Sequence, residues 1–289
     1  DWEKLFDFED DFDVNLLESI AVSASSPKGQ TNEQFQLAND ILQRFREDPR
    51  AWTRVPTILD YAQHPQTKRF ALTVMDGLVL QRWNSLPTDQ QTNIREYMIS
   101  YVMNLSSSAD VLETSKLVLD KANGVVVSIA RQDWPHRWPD FVPDIVQASK
   151  SNESTCENNL QILMLLSEEI FDFSTDKMTR AKISKLKESL VKDFYPIYSL
   201  CEYVLANSKT PSLLKATLEA LHRFLSWIPE GYIFGTDMLN ILLGTFLPEE
   251  QFRIMTVNCL IEIAQIPADD THRDKFQQLF VLFMEQLSA

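Results

Sequence analysis

Residues 112–148 read Leu112-ETSKLVLDKANGVVVSIARQDWPHRWPDFVPDIVQ-Ala148, and this stretch decides the fold. Its apolar residues recur with the helical period of 3.6 up to Ile129 and again from Phe141. Between them two Trp-Pro units stand four residues apart, at 134–135 and 138–139, and each proline resists helix at the residue before it. The pattern is a helix of about 112–132, a rigid corner, and a second helix of about 139–148. Trp134, Pro135, Trp138, Pro139 and Phe141 form that structural corner, with the aromatic rings plugging a hydrophobic seam. His136 and Arg137 lie at its tip and need no special role.

The same grammar extends outward. Thr31 caps a helix whose stripe is Phe35, Ala38, Ile41, Leu42 and Phe45, ended by Asp48 and Pro49. Further helices are expected at about 51–63, 67–83, 88–105, 155–171, 176–206, 211–227, 236–246, 249–264 and 271–287, with a kink or break at Pro196. Paired as hairpins, their first members begin near 50, 88, 139, 176 and 236, an average spacing of about 47 residues, at the upper end of the HEAT and armadillo range. The second helix of each pair is the more continuously apolar, as Val125–Ile129 and Leu160–Ile170 show. The fold class is therefore all-α, a right-handed α-solenoid of about six HEAT-type hairpins over residues 31–289 with one continuous core. Residues 1–30 form an amino-terminal extension with a capping helix over 13–24 and a Ser, Pro and Gly loop at 23–29.

Composition agrees. Only 6 of 289 residues are Gly, too few for the phosphate turns of α/β enzymes or the hairpins of sheets. The hydrophobic share of 44%, with 17 Phe and 6 Trp, builds a sizeable core. A net charge of −14 repels phosphate backbones and anionic headgroups, so no direct nucleic-acid partner and no membrane insertion are expected, and a basic protein surface is the better match. No apolar run approaches the roughly 18 residues of a membrane span. The chain begins at Asp1 without a signal pattern and reads as a trimmed piece. Cys156, Cys201 and Cys259 are odd in number and set in apolar stretches, as reduced core thiols are.

Catalytic patterns are absent. The sequence holds no Gly-x-x-x-x-Gly-Lys, Gly-x-Ser-x-Gly, His-Glu-x-x-His or Cys-x-x-Cys, and His64, His136, His222 and His272 are dispersed. No enzyme activity, cofactor or metal is expected. Glu168 and Glu169 beside Asp172 suit a hydrated helix end or a partner's cation better than acid–base chemistry. Lys177, Arg180, Lys182, Lys185, Lys187 and Lys192 ring a long helix as its solvated face.

At the Trp-Pro corner the chain resembles the karyopherin-β superfamily, whose amino-terminal HEAT repeats carry such doublets, and within it the exportins of leucine-rich nuclear export signals. The matching stretches are 5–20, 50–72, 132–146, 157–174 and 216–234. The resemblance implies a nuclear export receptor shuttling between nucleus and cytoplasm, whose amino-terminal repeats contact Ran in its GTP state through their second, concave helices. Phe-Gly nucleoporins are a further implied partner. Export-signal cargo docks on central repeats, so it is implied only for the full-length chain, and none of the three cysteines here is the inhibitor-sensitive one. A long acidic insertion of the kind some karyopherins use against Ran is absent. Helix-face reasoning selects Asn39, Gln43, Asp76, Gln81, Asp120, Asn123, Glu168 and Glu169 as Ran-binding candidates. A non-transport HEAT scaffold and an import receptor of the same superfamily are the alternatives, because solenoid physics does not set transport direction.

Overall fold

The computed structural model describes residues 2–9, 11–25, 31–171, 179–266 and 273–288. Among them there is no strand, and the contacts gather the chain into two compact units, 1–133 and 134–289.

The first unit holds three helix pairs. A short 3-10 turn (Trp2–Phe6) leads to α1 (Val14–Ser25), which packs on α2 (Asn32–Glu47), α3 (Val55–Tyr61, after a 3-10 turn at Ala51–Arg54) and α4 (Pro65–Arg82). The pair α5 (Thr88–Leu105) and α6 (Ala109–Asp133) completes the unit, and α6 lies along α4. Local sequence sets these boundaries. Thr31 accepts the Gln34 backbone N–H while the Gln34 side chain accepts the Thr31 N–H, a reciprocal capping box that fixes the start of α2. Pro65 opens α4 at a position whose N–H has no helical acceptor to miss. The Ser23–Gly29 loop lies largely outside the described residues.

The second unit runs through α7 (Phe141–Ala148), α8 (Glu153–Phe171), α9 (Arg180–Lys192), α10 (Phe194–Asn207), α11 (Pro211–Leu225), the short turns α12 (Gly231–Phe234) and α13 (Met238–Ile241), a π turn (Leu242–Phe246), α14 (Glu250–Ala264) and α15 (Arg273–Ser288). Here α8, α11 and α14 lie side by side, each the second member of its pair, with α7 and α10 as their first members. Second helices thus stack on second helices, and the helices pair as HEAT-type hairpins.

Two expectations need correction. The break expected at Pro196 does divide its stretch, into α9 and α10, but it falls at Asp193, three residues before Pro196. Proline is tolerated in a first turn and excluded deeper in, so α10 begins where Pro196 becomes its third residue. The helix that pairs with α11 accordingly begins at Phe194. The helix expected over 236–246 is interrupted by the π turn, in which the Leu247 N–H reaches the Leu242 carbonyl at 2.9 Å.

Each unit has its own core. In the first, Phe45, Ile58, Leu72, Met75, Trp83, Met98 and Val126 are all buried, and in the second Phe141, Leu166, Phe194, Tyr198, Phe224 and Ile263 are. All three cysteines are free and buried, and burial pushes the thiols of Cys156 and Cys259 up to about 12 and that of Cys201 higher still. A thiol in that state is a small core hydrophobe, not a nucleophile.

Candidate partner-binding site

The eight candidate positions lie on second helices, and the structure sorts them by what each side chain does. Asn39 and Gln43 are exposed on α2. The Asn39 amide donates to its own helix at Phe35 O (2.8 Å) and Gln43 donates to Glu47 Oε1 (2.9 Å). Gln81 is exposed near the end of α4, beside an open polar depression that also touches Leu80, Arg82, Asn84 and Gln132. Asp120 is exposed on α6.

Asp76 is committed internally. Its carboxylate accepts Lys121 Nζ at 2.8 Å and Ser128 Oγ at 2.9 Å, fastening α4 to α6. Asn123 corrects the helix-face reading, because it is fully buried. The face of α6 carrying Ala122, Val126 and Ala130 is covered, and Asn123 turns inward with it. In the second unit, Glu168 Oε1 accepts both Nε (3.1 Å) and Nη2 (2.7 Å) of Arg223 on α11, and Glu169 beside it is half-buried with its Oε2 enclosed by protein.

Sequence reasoning did not anticipate Lys121, Ser128 or Arg223, because pairing across 45 to 55 residues leaves no local periodicity to read. It also passed over Leu37, Leu80 and Leu117, which are 50%, 50% and 61% exposed on α2, α4 and α6. The available signal was their position off the apolar stripe. Along the chain these exposed leucines stand two, one and three residues from Asn39, Gln81 and Asp120, and only Leu117 and Asp120 share a helix face.

The Trp-Pro corner is placed as expected in chain order, after the last residue of α6 and before the first of α7. Trp134 is 2% exposed and joined to Pro135 by a cis peptide, while Trp138 sets its ring edge-on to Phe141 at 4.6 Å. His136, Arg137 and Pro139 are exposed. Of the basic positions near α9, Lys187 sits over the Phe171 ring at 4.9 Å and Arg180, Lys185 and Lys192 are exposed; Lys177, Asp172 and His272 lie outside the described residues. Among the described residues no three His, Cys, Asp or Glu side chains gather as a metal site, and no helix is long and apolar enough to cross a membrane.

Residues 115–260 match the family model described as Exportin 1-like protein, and residues 38–104 match that of the Importin-beta N-terminal domain. The chain belongs to the exportin 1-like family. The two matches divide this exportin 1-like chain at a helix boundary: the importin-beta match covers most of α2 through α5, and the exportin match takes in most of α6 and runs on into α14. Relatives extend the likeness over nearly all of it. Exportin-1 of Schizosaccharomyces pombe is 41% identical over 287 residues, which is 99% of this chain and 26% of that protein. Exportin-1 of Drosophila melanogaster is 43% identical over 284 residues, 98% of this chain and 26% of that protein. Protein EXPORTIN 1B of Arabidopsis thaliana is 41% identical over 287 residues, again 99% and 26%. The exportin 1-like chain thus spans about a quarter of the length of these relatives.

Proposed function

We propose that this chain is the Ran-GTP-binding amino-terminal part of a nuclear export receptor, which in its full length carries leucine-rich export-signal cargo between nucleus and cytoplasm. The observation that supports it best is the continuous likeness to exportin-1 proteins over 99% of the chain. Ran is engaged by the second helices of the first unit, through Asn39, Gln43, Gln81 and Asp120, with Leu37, Leu80 and Leu117 supplying apolar contact. Asp76 fastens α4 to α6 among those helices, and Glu168, with Glu169 beside it, ties α8 to α11 in the second unit. A chain of net charge −14 favours encounter with basic elements of a protein partner, and that attraction weakens with salt. The receptor acts by binding alone, and Phe-Gly nucleoporins are its partners during passage through the pore.

The test is a titration of this chain and of the full-length receptor against Ran loaded with a GTP analogue or GDP, with and without an export-signal peptide. An export receptor binds only the GTP form and binds it more tightly with the peptide, since two ligands that each strengthen the other must be coupled. GTP-dependent binding that cargo weakens marks an import receptor, and indifference to Ran in both states marks a scaffold.

A further inference from the structure

The loop joining α10 to α11 reads Asn207-Ser-Lys-Thr-Pro211 and holds one of only two Ser/Thr-Pro dipeptides in the sequence, the other being Ser26-Pro27. It leaves the helices in extended form. Ser208 has φ −75°, ψ 152° and Thr210 has φ −83°, ψ 112°, and at Thr210 this is the conformation that the following Pro211 imposes. Lys209 and Pro211 are exposed.

Thr210 occupies the position before the first turn of α11, where a threonine hydroxyl ordinarily accepts a backbone N–H, yet its side chain makes no such cap. The hydroxyl is turned away to the carboxylate of Glu153, at the first residue of α8, and Ser208 Oγ donates to the same carboxylate at 2.7 Å. Glu153 is held below the usual carboxylate range by these two hydroxyls, Thr210 foremost, and so remains an anion. Two hydroxyls thus fasten the loop to α8.

We propose that Thr210 is the acceptor for a proline-directed protein kinase, and that phosphorylation releases the α10–α11 loop from Glu153. In the transfer the bond between the γ-phosphorus of ATP and its bridging oxygen breaks as the Thr210 Oγ1–phosphorus bond forms. The hydroxyl proton passes to the kinase's base and ADP leaves. The product is a dianion that has lost the donor hydrogen and repels Glu153. Its favourable alternative is immediate, at the amino-terminus of α11 that Thr210 itself precedes, where no side chain caps the first turn and the helix dipole attracts phosphate. Modification therefore exchanges a tie between helices for a local cap.

The consequence reaches a groove of about 690 Å³ between α7–α8 and α10, lined by Glu153, Cys156, Tyr195, Tyr203, Ser208 and Leu213. Tyr195 and Tyr203 are each 66% exposed along one wall. Glu153 and Ser208 form part of its rim, so releasing the tie frees that side of the groove.

The experiment uses this chain carrying Ser26→Ala, a proline-directed kinase and magnesium ATP. The expected result is one phosphate on Thr210 by mass spectrometry, retained in Thr210→Ser and lost in Thr210→Ala. Amide hydrogen exchange in the first turn of α8 then rises roughly tenfold on phosphorylation. Glu153→Gln, which weakens the tie without adding charge, produces part of that rise with no kinase present. Failure to phosphorylate Thr210 while the kinase modifies a free peptide of residues 205–215 overturns the acceptor assignment. Stoichiometric phosphate with unchanged exchange at α8 overturns the release.

Discussion

The indole Nε1 of Trp83 donates to Asp133 Oδ1 at 2.7 Å, tying the end of α4 to the last residue of α6 in a site where Asp133 is 2% exposed. Arg95 of α5 lies 3.6 Å from the other carboxylate oxygen, and Gln91 Nε2 donates to the Trp83 carbonyl at 2.7 Å. Three helices of the first unit therefore meet at one buried acid. Asp133→Ala removes the acceptor of the Trp83 indole and the carboxylate beside Arg95, and loss of one partner from a buried charged network costs about 3–5 kcal/mol. Asp133→Asn keeps an acceptor for Trp83 and loses less. Urea unfolding followed by tryptophan fluorescence measures both, and equal stabilities of the two variants would show that the carboxylate is not the hub.

The candidate surface separates into residues that are free to bind and residues that hold the helices. Asp120→Lys, on exposed α6 surface, is expected to weaken Ran-GTP binding by the full-length receptor several-fold, most at low salt, with the urea midpoint unchanged. Asp76→Ala is expected to lower stability by about 1 kcal/mol, because it removes a half-exposed ion pair and a hydroxyl bond. Ran affinity unaffected by Asp120→Lys would remove α6 from the proposed interface.

Much of the fold was legible in local chemistry. The capping signal at Thr31 and the Trp-Pro corner have short range, and α2 and α7 begin within one or two residues of where those signals put them. The 88–105 helix was read to the residue. What escaped was decided by distant packing. Asn123 looks polar-faced in a one-dimensional period but is buried by helices that approach from far along the sequence. Glu168 looked available for a partner's cation until Arg223, 55 residues away, filled that role internally. The break at Asp193 shows the same limit: proline marks that a helix must start nearby, not which residue starts it.

Alkaline pH should loosen the protein through its core thiols. An unfolded thiol releases its proton near the ordinary value of 9.0, whereas the buried Cys156 and Cys259 keep theirs up to about 12. Folded protein therefore holds more protons than unfolded protein in this window, and stability falls as pH rises from 9 towards 12. Each such thiol removes about 1.4 kcal/mol per pH unit above 9. Urea midpoints at pH 8, 9.5 and 10.5 measure the slope, and Cys259→Ala is expected to lower it by one thiol's share. A midpoint constant through pH 10.5 would contradict the buried, protonated state of these side chains.

Phe45 is the point at which the amino-terminal segment is held. It is fully buried, and the rings of Phe6, Phe8 and Phe12 surround it at 6.1, 6.3 and 5.7 Å, with Phe70 of α4 at 6.0 Å. Arg44 covers Trp2 at 5.0 Å and Arg50 covers Phe8 at 4.3 Å, so guanidinium groups close over the outer rings. The acidic stretch is thereby anchored by its aromatics, while Asp7, Glu9 and Asp11 stay exposed. Phe45→Ala removes the ring common to all four contacts and is expected to cost about 3–5 kcal/mol, as burial of a phenylalanine in a packed core implies. The segment should then be cut by chymotrypsin at Phe8 or Phe12 well before either unit unfolds, whereas Phe45→Leu, which keeps most of the apolar volume, should protect it for an intermediate time. If Phe45→Ala is cleaved no faster than the unaltered chain, the segment is held by Leu5 and the arginines instead, and the aromatic cluster is packing without being the anchor.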